Sequence, residues 1–193
     1  RDVLGSRGLG DVYKRQILLL SAGTRVESKN NKIAKITDDF LVNELKIDCS
    51  LYDNFYEGVP FLKDYNDKQP DYVIDVRNDL INSSKIILFS PVFNGGYVSH
   101  LKNILDWLSL SFDKYSYNEL FKNKTVAVVS SVDGKGNNAK SSFILLKEQL
   151  KNYGLDVFDE FYLFNEENKV DDFDSNKKLS TSYHTFINSF INS

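Results

Sequence analysis

One loop combines the residue types that hold an anion through hydrogen bonds. The stretch 21–30 contains Gly23, Arg25, Ser28 and Asn30 and leads into a predicted helix. The fork of a guanidinium matches phosphate oxygens, and a helix N-terminus adds amide donors and a favourable dipole. Arg25 is one of only two Arg after residue 16, where Lys supplies nearly all other positive charge. A surface Arg beside a helix-capping Ser is the plain alternative, but the spacing of these donors favours phosphate binding.

A second stretch, residues 91–107, places a tight turn directly before a helix. It reads Pro-Val-Phe-Asn-Gly-Gly-Tyr-Val-Ser-His-Leu-Lys-Asn-Ile-Leu-Asp-Trp. The pair Asn94-Gly95 favours a turn, and the spacing of the Leu residues favours a helix with one buried face. Ordinary structure would explain both features. A turn followed by a helix does not require the pairs Lys102-Asn103 and Asp106-Trp107. Their presence makes the stretch a candidate site.

Short hydrophobic runs alternate with helical segments after residue 16, which predicts an α/β fold with a parallel sheet. The predicted strands are Ile17 to Ser21, Leu45 to Leu51, Lys85 to Ser90, Thr125 to Ser130 and Val157 to Leu163. The predicted helices are Lys29 to Val42, Asp71 to Asn82, Ser99 to Ser109, Ala139 to Tyr153 and Asn176 to Ile191.

Glycine-containing loops follow the first, third and fourth predicted strands. In an open parallel sheet the carboxyl ends of the strands form the ligand crevice. The third of these loops, residues 130–138, contributes Ser131 and Gly134. Its composition is commonplace, and a solvated loop explains it equally well. We nevertheless expect all three loops to surround one crevice.

The first loop resembles that of the NADPH-dependent FMN reductases, a family of flavodoxin-like quinone, azo and flavin reductases. The family sequence is G-S-x-R-x-x-S-x-N, and this chain keeps Arg25, Ser28 and Asn30. Ala22 and Gly23 replace the family's Gly and Ser. The resemblance implies that Arg25, Ser28 and Asn30 bind the FMN phosphate, with one hydroxyl contact missing.

The second stretch is similar to the family's P-x-Y-N-G-S-x-P-x-x-L-K-N-x-x-D-W, with Phe93, Gly96 and Val98 replacing Tyr, Ser and Pro. The resemblance implies that backbone groups of this loop line the isoalloxazine ring and that Phe93 flanks it. The third loop stands where the family has a Ser- and Gly-rich segment beside the ring. The flavin-binding residues expected in addition to the phosphate ligands are Pro91, Val92, Phe93, Asn94, Gly95, Ser131 and Gly134.

The resemblance implies a flavodoxin-like fold, with a five-stranded parallel sheet in the order 2-1-3-4-5 and helices on both faces. It also implies an FMN-dependent oxidoreductase that uses NADPH or NADH and reduces a quinone, azo compound, flavin or similar small-molecule acceptor. No catalytic side chain is expected, because N5 of the flavin receives the hydride. A homodimer is implied, and its interface would help to complete the flavin site, through the predicted helix Ser99 to Ser109.

Two other functions stay open at this point. A flavodoxin-type electron carrier would bind FMN and serve protein partners, but its phosphate loop usually lacks Arg, so Arg25 argues against it. A flavin-free α/β binding module is the second alternative, because positions 22, 23 and 98 depart from the family sequence.

Composition disfavours several other classes. The net charge is −3, with 24 basic and 27 acidic residues and no basic block, which argues against a nucleic-acid partner. The apolar runs are far shorter than the roughly 20 residues of a membrane span. A single Cys49 forms no internal disulfide, so the cytoplasm is the expected compartment. His100 and His184 lack the companions of a metal site, and no metal is expected.

Residues 1–16 differ in composition from the rest of the chain. They hold three of the five Arg and three of the ten Gly, and the chain contains no Met. The segment resembles a translated adaptor sequence of shotgun collections. We therefore expect a non-native extension over residues 1–16, a sequencing artefact, and one flavodoxin-like FMN-binding domain over residues 17–193.

Overall fold

The computed structural model of the protein describes residues 16–53 and 55–193. The predicted extension lies outside these residues except for Gln16, whose backbone begins the first strand. The strands are β1 Gln16–Ser21, β2 Cys49–Tyr52, β3 Ser83–Phe89, β4 Val92–Phe93, β5 Gly96–Tyr97, β6 Thr125–Ser131 and β7 Asp156–Phe164. The α-helices are α1 Lys29–Asp39, α2 Phe55–Gly58, α3 Asp71–Asn82, α4 Ser99–Ser109, α5 Ala139–Asn152 and α6 Lys177–Ile191.

Five strands form one parallel sheet in the order β2-β1-β3-β6-β7. This order confirms the predicted flavodoxin-like topology, since the strands beyond β3 in the sheet are the predicted fourth and fifth. A separate two-stranded antiparallel hairpin joins β4 to β5. The central strands are continuous hydrophobic runs because helices cover both of their faces.

Alternate residues of each strand enter two separate cores. Leu18 and Ile86 point to the face that α3, α4 and α5 cover, where they share one cluster with Leu105. Leu19 and Ile87 point to the opposite face, which α1 and α6 cover. Because successive side chains of a strand alternate between faces, a single apolar strand fills both cores. This arrangement fixes the strand ends, and with them the loops at the carboxyl edge of the sheet.

Two predicted boundaries were wrong near the first crossover. The chain stays helical beyond α1 through a π-helical turn, Phe40–Glu44, which buries Phe40 and Leu41. The apolar residues that followed were predicted to begin the second strand at Leu45, but β2 begins at Cys49. Lys46 has a positive φ of 57°, which no strand residue adopts. The N–H groups of Leu45 and Ile47 donate to Phe40 O at 3.1 Å and to Leu41 O at 2.9 Å, so the predicted start of the strand is bonded to the end of the helix instead.

Candidate functional site

The first loop turns sharply between β1 and α1, and Gly23 is the residue that permits the turn. A Cβ atom at position 23 would lie 1.9 Å from Ser28 Oγ and 2.3 Å from Asn31 Oδ1. Ser28 caps α1, and its Oγ accepts a hydrogen bond from the backbone N–H of Asn31 at 3.1 Å. The Gly that replaces the family's Ser at position 23 is thus required by packing in this chain.

Asn31 holds the loop from inside and was not predicted from the sequence. Its side chain is buried, its Oδ1 accepts from Ser21 Oγ at 2.6 Å, and its Nδ2 donates to Arg25 O at 3.0 Å. A further bond from Nδ2 reaches Asp53 O at 3.3 Å. The only sequence signal was a polar residue in the first turn of a helix, which does not distinguish a buried Asn from a solvated one.

Arg25 lies exposed at the mouth of the loop, and its guanidinium has no hydrogen-bond or ion-pair partner among the described residues. The only other Arg in that part of the chain is Arg77, which is fully buried and donates to Trp107 O at 2.8 Å. At the start of α1, the backbone amides of Lys29 and Asn30 have no intrahelical acceptor. Among the described residues, a guanidinium without a partner and two helix amides without an acceptor therefore line the same cleft, as an anion site requires.

The side chain of Asn30 links the first loop to the third. It is buried, its Oδ1 accepts from Ser131 N at 3.1 Å, and its Nδ2 contacts Ser131 O at 3.5 Å. Both polar atoms of the amide therefore have protein partners. This contact brings the loops that follow β1 and β6 to a fixed separation.

The second loop is the β4–β5 hairpin. Asn94 has a φ of 52° and Gly95 a φ of 79°, which is the left-handed pair of a type I′ turn. The Asn-Gly pair predicted a turn at this place, but the hairpin around it was not predicted. The turn leaves the Phe93 side chain 56% exposed. An aromatic ring thus projects from a short, well-defined hairpin at the edge of the sheet.

The three loops enclose one cleft of about 240 Å³ at the carboxyl edge of the sheet. Seven of the ten predicted site residues line it, namely Arg25, Ser28, Asn30, Pro91, Val92, Phe93 and Ser131. Asn94 and Gly95 line an adjoining cleft of about 240 Å³, which also includes Val92. Gly134 lines neither cleft, and its carbonyl accepts from the Glu166 N–H at 3.1 Å.

An ion pair crosses the rim of the three-loop cleft. Lys29 Nζ lies 2.6 Å from Asp133 Oδ1, so the first residue of α1 is paired with the third loop. This ammonium, and more weakly the Arg25 guanidinium, holds the pKa of the Asp133 carboxyl below its usual range. Asp133 is therefore ionised at neutral pH and adds negative charge to the cleft.

Residues 15–164 match the family model described as NADPH-dependent FMN reductase. The chain belongs to the NADPH-dependent FMN reductase family. It is therefore one of the flavin-dependent NAD(P)H oxidoreductases. No curated protein is significantly similar to the chain.

Solved structures of low sequence identity share the fold. The flavoenzyme FerB, an NAD(P)H:(acceptor) oxidoreductase from Paracoccus denitrificans, is 19% identical with a TM-score of 0.73, covering 92% of this chain and 96% of its own. The apo form of the NADH:FMN oxidoreductase EMOB is 13% identical with a TM-score of 0.70, and the match covers 91% of this chain and 88% of the EMOB chain. An azoreductase from Bacillus anthracis str. Sterne is 12% identical with a TM-score of 0.57, and the match covers 87% of this chain and 94% of the azoreductase chain.

The helical half of the family's second motif has a structural role in this FMN reductase family member. Asn103 accepts from Leu62 N at 2.9 Å and donates to Pro60 O at 2.9 Å. Trp107 Nε1 also donates to Pro60 O, at 2.8 Å. These bonds fasten the segment before α3 onto α4. The motif thus joins a hairpin at the cleft to a helix that anchors a neighbouring segment.

Lys102 and Asp106 of the same motif form an ion pair on the outer side of α4. Lys102 Nζ lies 2.6 Å from Asp106 Oδ1, which also accepts from Tyr153 Oη at 2.6 Å. Burial, followed by this carboxylate, raises the pKa of Tyr153 far above its usual range. The bonds tie α4 to the C-terminal end of α5.

The two histidines lie in structural positions. His100 is buried, and its Nε2 donates to Ala22 O at 2.8 Å, which fastens the start of α4 to the first loop. His184 stacks on Phe40 with ring centroids 3.8 Å apart. Within residues 16–53 and 55–193, no cluster of three or more His, Cys, Asp or Glu is arranged to hold a metal. No helix in the same residues combines the length and apolar character of a membrane span.

Proposed function

We propose that the chain is an FMN-dependent oxidoreductase that takes electrons from NADH or NADPH and passes them to a small-molecule acceptor. One observation carries the proposal: the Arg25 guanidinium, which has no partner among the described residues, the backbone amides of Lys29 and Asn30 at the start of α1, and the exposed ring of Phe93 converge on one cleft. The first two features suit the phosphate of FMN, and the third suits its ring. The cleft lies where ligands of doubly wound sheets bind.

The phosphate end of the cleft is built by the first loop. The Arg25 guanidinium donates to phosphate oxygens. The Ser28 Oγ accepts from the Asn31 N–H with a lone pair, so the hydroxyl hydrogen of Ser28 remains available to donate to the phosphate. Asn30 contributes its backbone amide, and its side chain positions the third loop through Ser131. Asn30 therefore acts at this site through its backbone amide and its contact with the third loop.

The ring end of the cleft is built by the hairpin and the third loop. Backbone groups of residues 91–95 and Ser131 face the ring edge, and the Phe93 side chain covers part of one face. FMN, when bound, supplies the two-electron chemistry at its N5 atom. The chain leaves the other face open, so that the nucleotide and the acceptor bind there in turn. Gly134 does not line the cleft, and its carbonyl instead holds the third loop by accepting from the Glu166 N–H.

The acceptor belongs to the class of quinones, azo compounds and free flavins. The fold shared with an azoreductase and with an NAD(P)H:(acceptor) oxidoreductase supports this class. No ribose-phosphate motif distinguishes NADPH from NADH. The nucleotide co-substrate and the free thiol of Cys49 favour the cytoplasm as the compartment.

The proposed activity predicts that FMN-loaded protein is bleached by NADH or NADPH under anaerobic conditions much faster than free FMN. Adding a quinone or an azo dye should restore the yellow colour, and steady-state rates should follow alternating-substrate kinetics. Stopped-flow absorbance of the flavin measures both half-reactions. Bleaching no faster than that of free FMN would indicate an electron carrier. A colourless protein that leaves FMN fluorescence unaltered would indicate a flavin-free module.

A homodimer that packs through α4 is also part of the proposal. Three exposed aromatic side chains, Phe61, Tyr65 and Tyr117, border a groove of about 530 Å³ beside this helix. Exposed aromatic residues of this kind are typical of interface centres. The groove is continuous with α4, which begins directly after the β4–β5 hairpin.

Light scattering is expected to give twice the chain mass for the wild type. The double variant Phe61→Lys/Tyr65→Lys should give the mass of one chain, because two ammonium groups would be buried without partners. Ile144→Lys, at an exposed apolar position of α5, is the matched control and should remain a dimer. A monomeric wild type, or a double variant that stays dimeric, would contradict the proposed interface.

A further inference from the structure

We propose that Asp133 lowers the affinity of the cleft for the flavin phosphate and so keeps bound FMN exchangeable. The inference rests on the proposed function, since it concerns the same site. It adds a residue that acts against the ligand, whereas every predicted site residue was expected to favour binding.

The ionisable side chains that line the three-loop cleft carry no net charge. They are Arg25, Glu27, Lys29 and Asp133, two cations and two carboxylates. A phosphate monoester carries a charge of about −1.5 to −2 at neutral pH. The cleft therefore meets this charge with helix amides and the Arg25 guanidinium, while its two carboxylates oppose it.

The Lys29–Asp133 ion pair makes one of the two cations less available to bind a phosphate. Lys29 is the first residue of α1 and stands where a cation would best meet a phosphate at the helix start. Its Nζ is instead 2.6 Å from the Asp133 carboxylate. An entering phosphate must either share Lys29 with this carboxylate or displace it, and both alternatives weaken binding.

Asp133 stays at the rim of the cleft, because the backbone on both sides of it is held. Ser131 N donates to Asn30 Oδ1 at 3.1 Å, and Gly134 O accepts from the Glu166 N–H at 3.1 Å. The third loop thus holds Asp133 at the rim while the cleft fills. The side chain itself is 88% exposed, so the ion pair adds little to folding stability and its removal should leave the fold intact.

The test compares the dissociation constants of FMN and riboflavin in the full chain, measured by quenching of flavin fluorescence. Asp133→Asn is expected to tighten FMN binding about fivefold at low salt, to slow FMN release, and to leave riboflavin unchanged. The gain should shrink at high salt, where exposed charges are screened. Adding Lys29→Met to Asp133→Asn should abolish the gain in FMN affinity, because the ammonium group that the first substitution releases is then absent.

Asp159→Asn is the matched control. Asp159 pairs with Lys147 at 2.7 Å and is 93% exposed, so it resembles the Asp133 pair but lies outside the cleft. It should leave both constants unchanged. Weaker or unchanged FMN binding in Asp133→Asn, or equal gains for FMN and riboflavin, would overturn the inference while leaving the proposed function standing. A wild type that binds neither flavin would overturn both.

Discussion

Replacing Arg25 with Ala is expected to weaken FMN binding about 10- to 100-fold and to leave riboflavin binding within about twofold. Charge-assisted hydrogen bonds are each worth about 1.5 to 3 kcal/mol, and the guanidinium makes none to the described protein. Its loss therefore removes ligand contacts without exposing a buried partner. Fluorescence titration with the two flavins, which differ only in the phosphate, measures the effect.

Arg25→Lys separates the charge of this residue from its geometry. A Lys keeps the positive charge but lacks the planar fork, so we expect an FMN affinity between those of the wild type and Arg25→Ala. Thermal unfolding should be unchanged in both variants, because Arg25 is exposed and unpartnered in the described residues. Equal losses for FMN and riboflavin would show that Arg25 does not bind the phosphate.

Gly23→Ala is expected to damage both the site and the fold. Its Cβ would overlap Ser28 Oγ and Asn31 Oδ1, at 1.9 Å and 2.3 Å, so the helix cap and the buried amide must move. We expect a loss of about 2 kcal/mol in unfolding free energy and a melting temperature lower by about 5 °C. FMN affinity should fall at least about 30-fold, because the first turn of α1 is displaced.

Gly134→Ala is the stability control for this substitution. A Cβ at position 134 would meet no atom within 4 Å, and this Gly has no positive φ. Its melting temperature should equal that of the wild type. Should Gly23→Ala melt like the wild type and bind FMN normally, the tight packing at the turn between β1 and α1 would not exist in solution.

The fold was predictable because its signals are local and repeated. Runs such as Ile17–Leu20 and Ile86–Phe89 are buried on both faces, and helical spacing between strands predicted α3 and α4 over their observed ranges. The second strand was misplaced because Leu45 and Ile47 alternate with polar residues as strand residues do, although their backbone N–H groups donate to Phe40 O and Leu41 O at the end of the π-helical turn. A short apolar run indicates that its residues are buried, but it does not indicate whether their backbone is extended or helical.

The site was predictable only in part. Loops at one edge of a parallel sheet must meet, so the convergence of residues around Arg25 and Phe93 followed from topology. The role of the Asn30 side chain did not, because a contact with Ser131 joins positions 101 residues apart. The same holds for the ion pair of Lys29 with Asp133, which are 104 residues apart.

The sequence by itself determined the alternation of strands and helices, the loop that follows each central strand and the resemblance to the family, because these depend on local patterns and short motifs. The sheet order followed only from that resemblance. Only the tertiary structure decided how those side chains are used. In the structure the side-chain amide of Asn30 bonds to Ser131, the buried Asn31 supports the first loop, and Lys29 pairs with Asp133. A side chain's partner depends on which distant backbone lies within about 3 Å, and packing alone sets that distance.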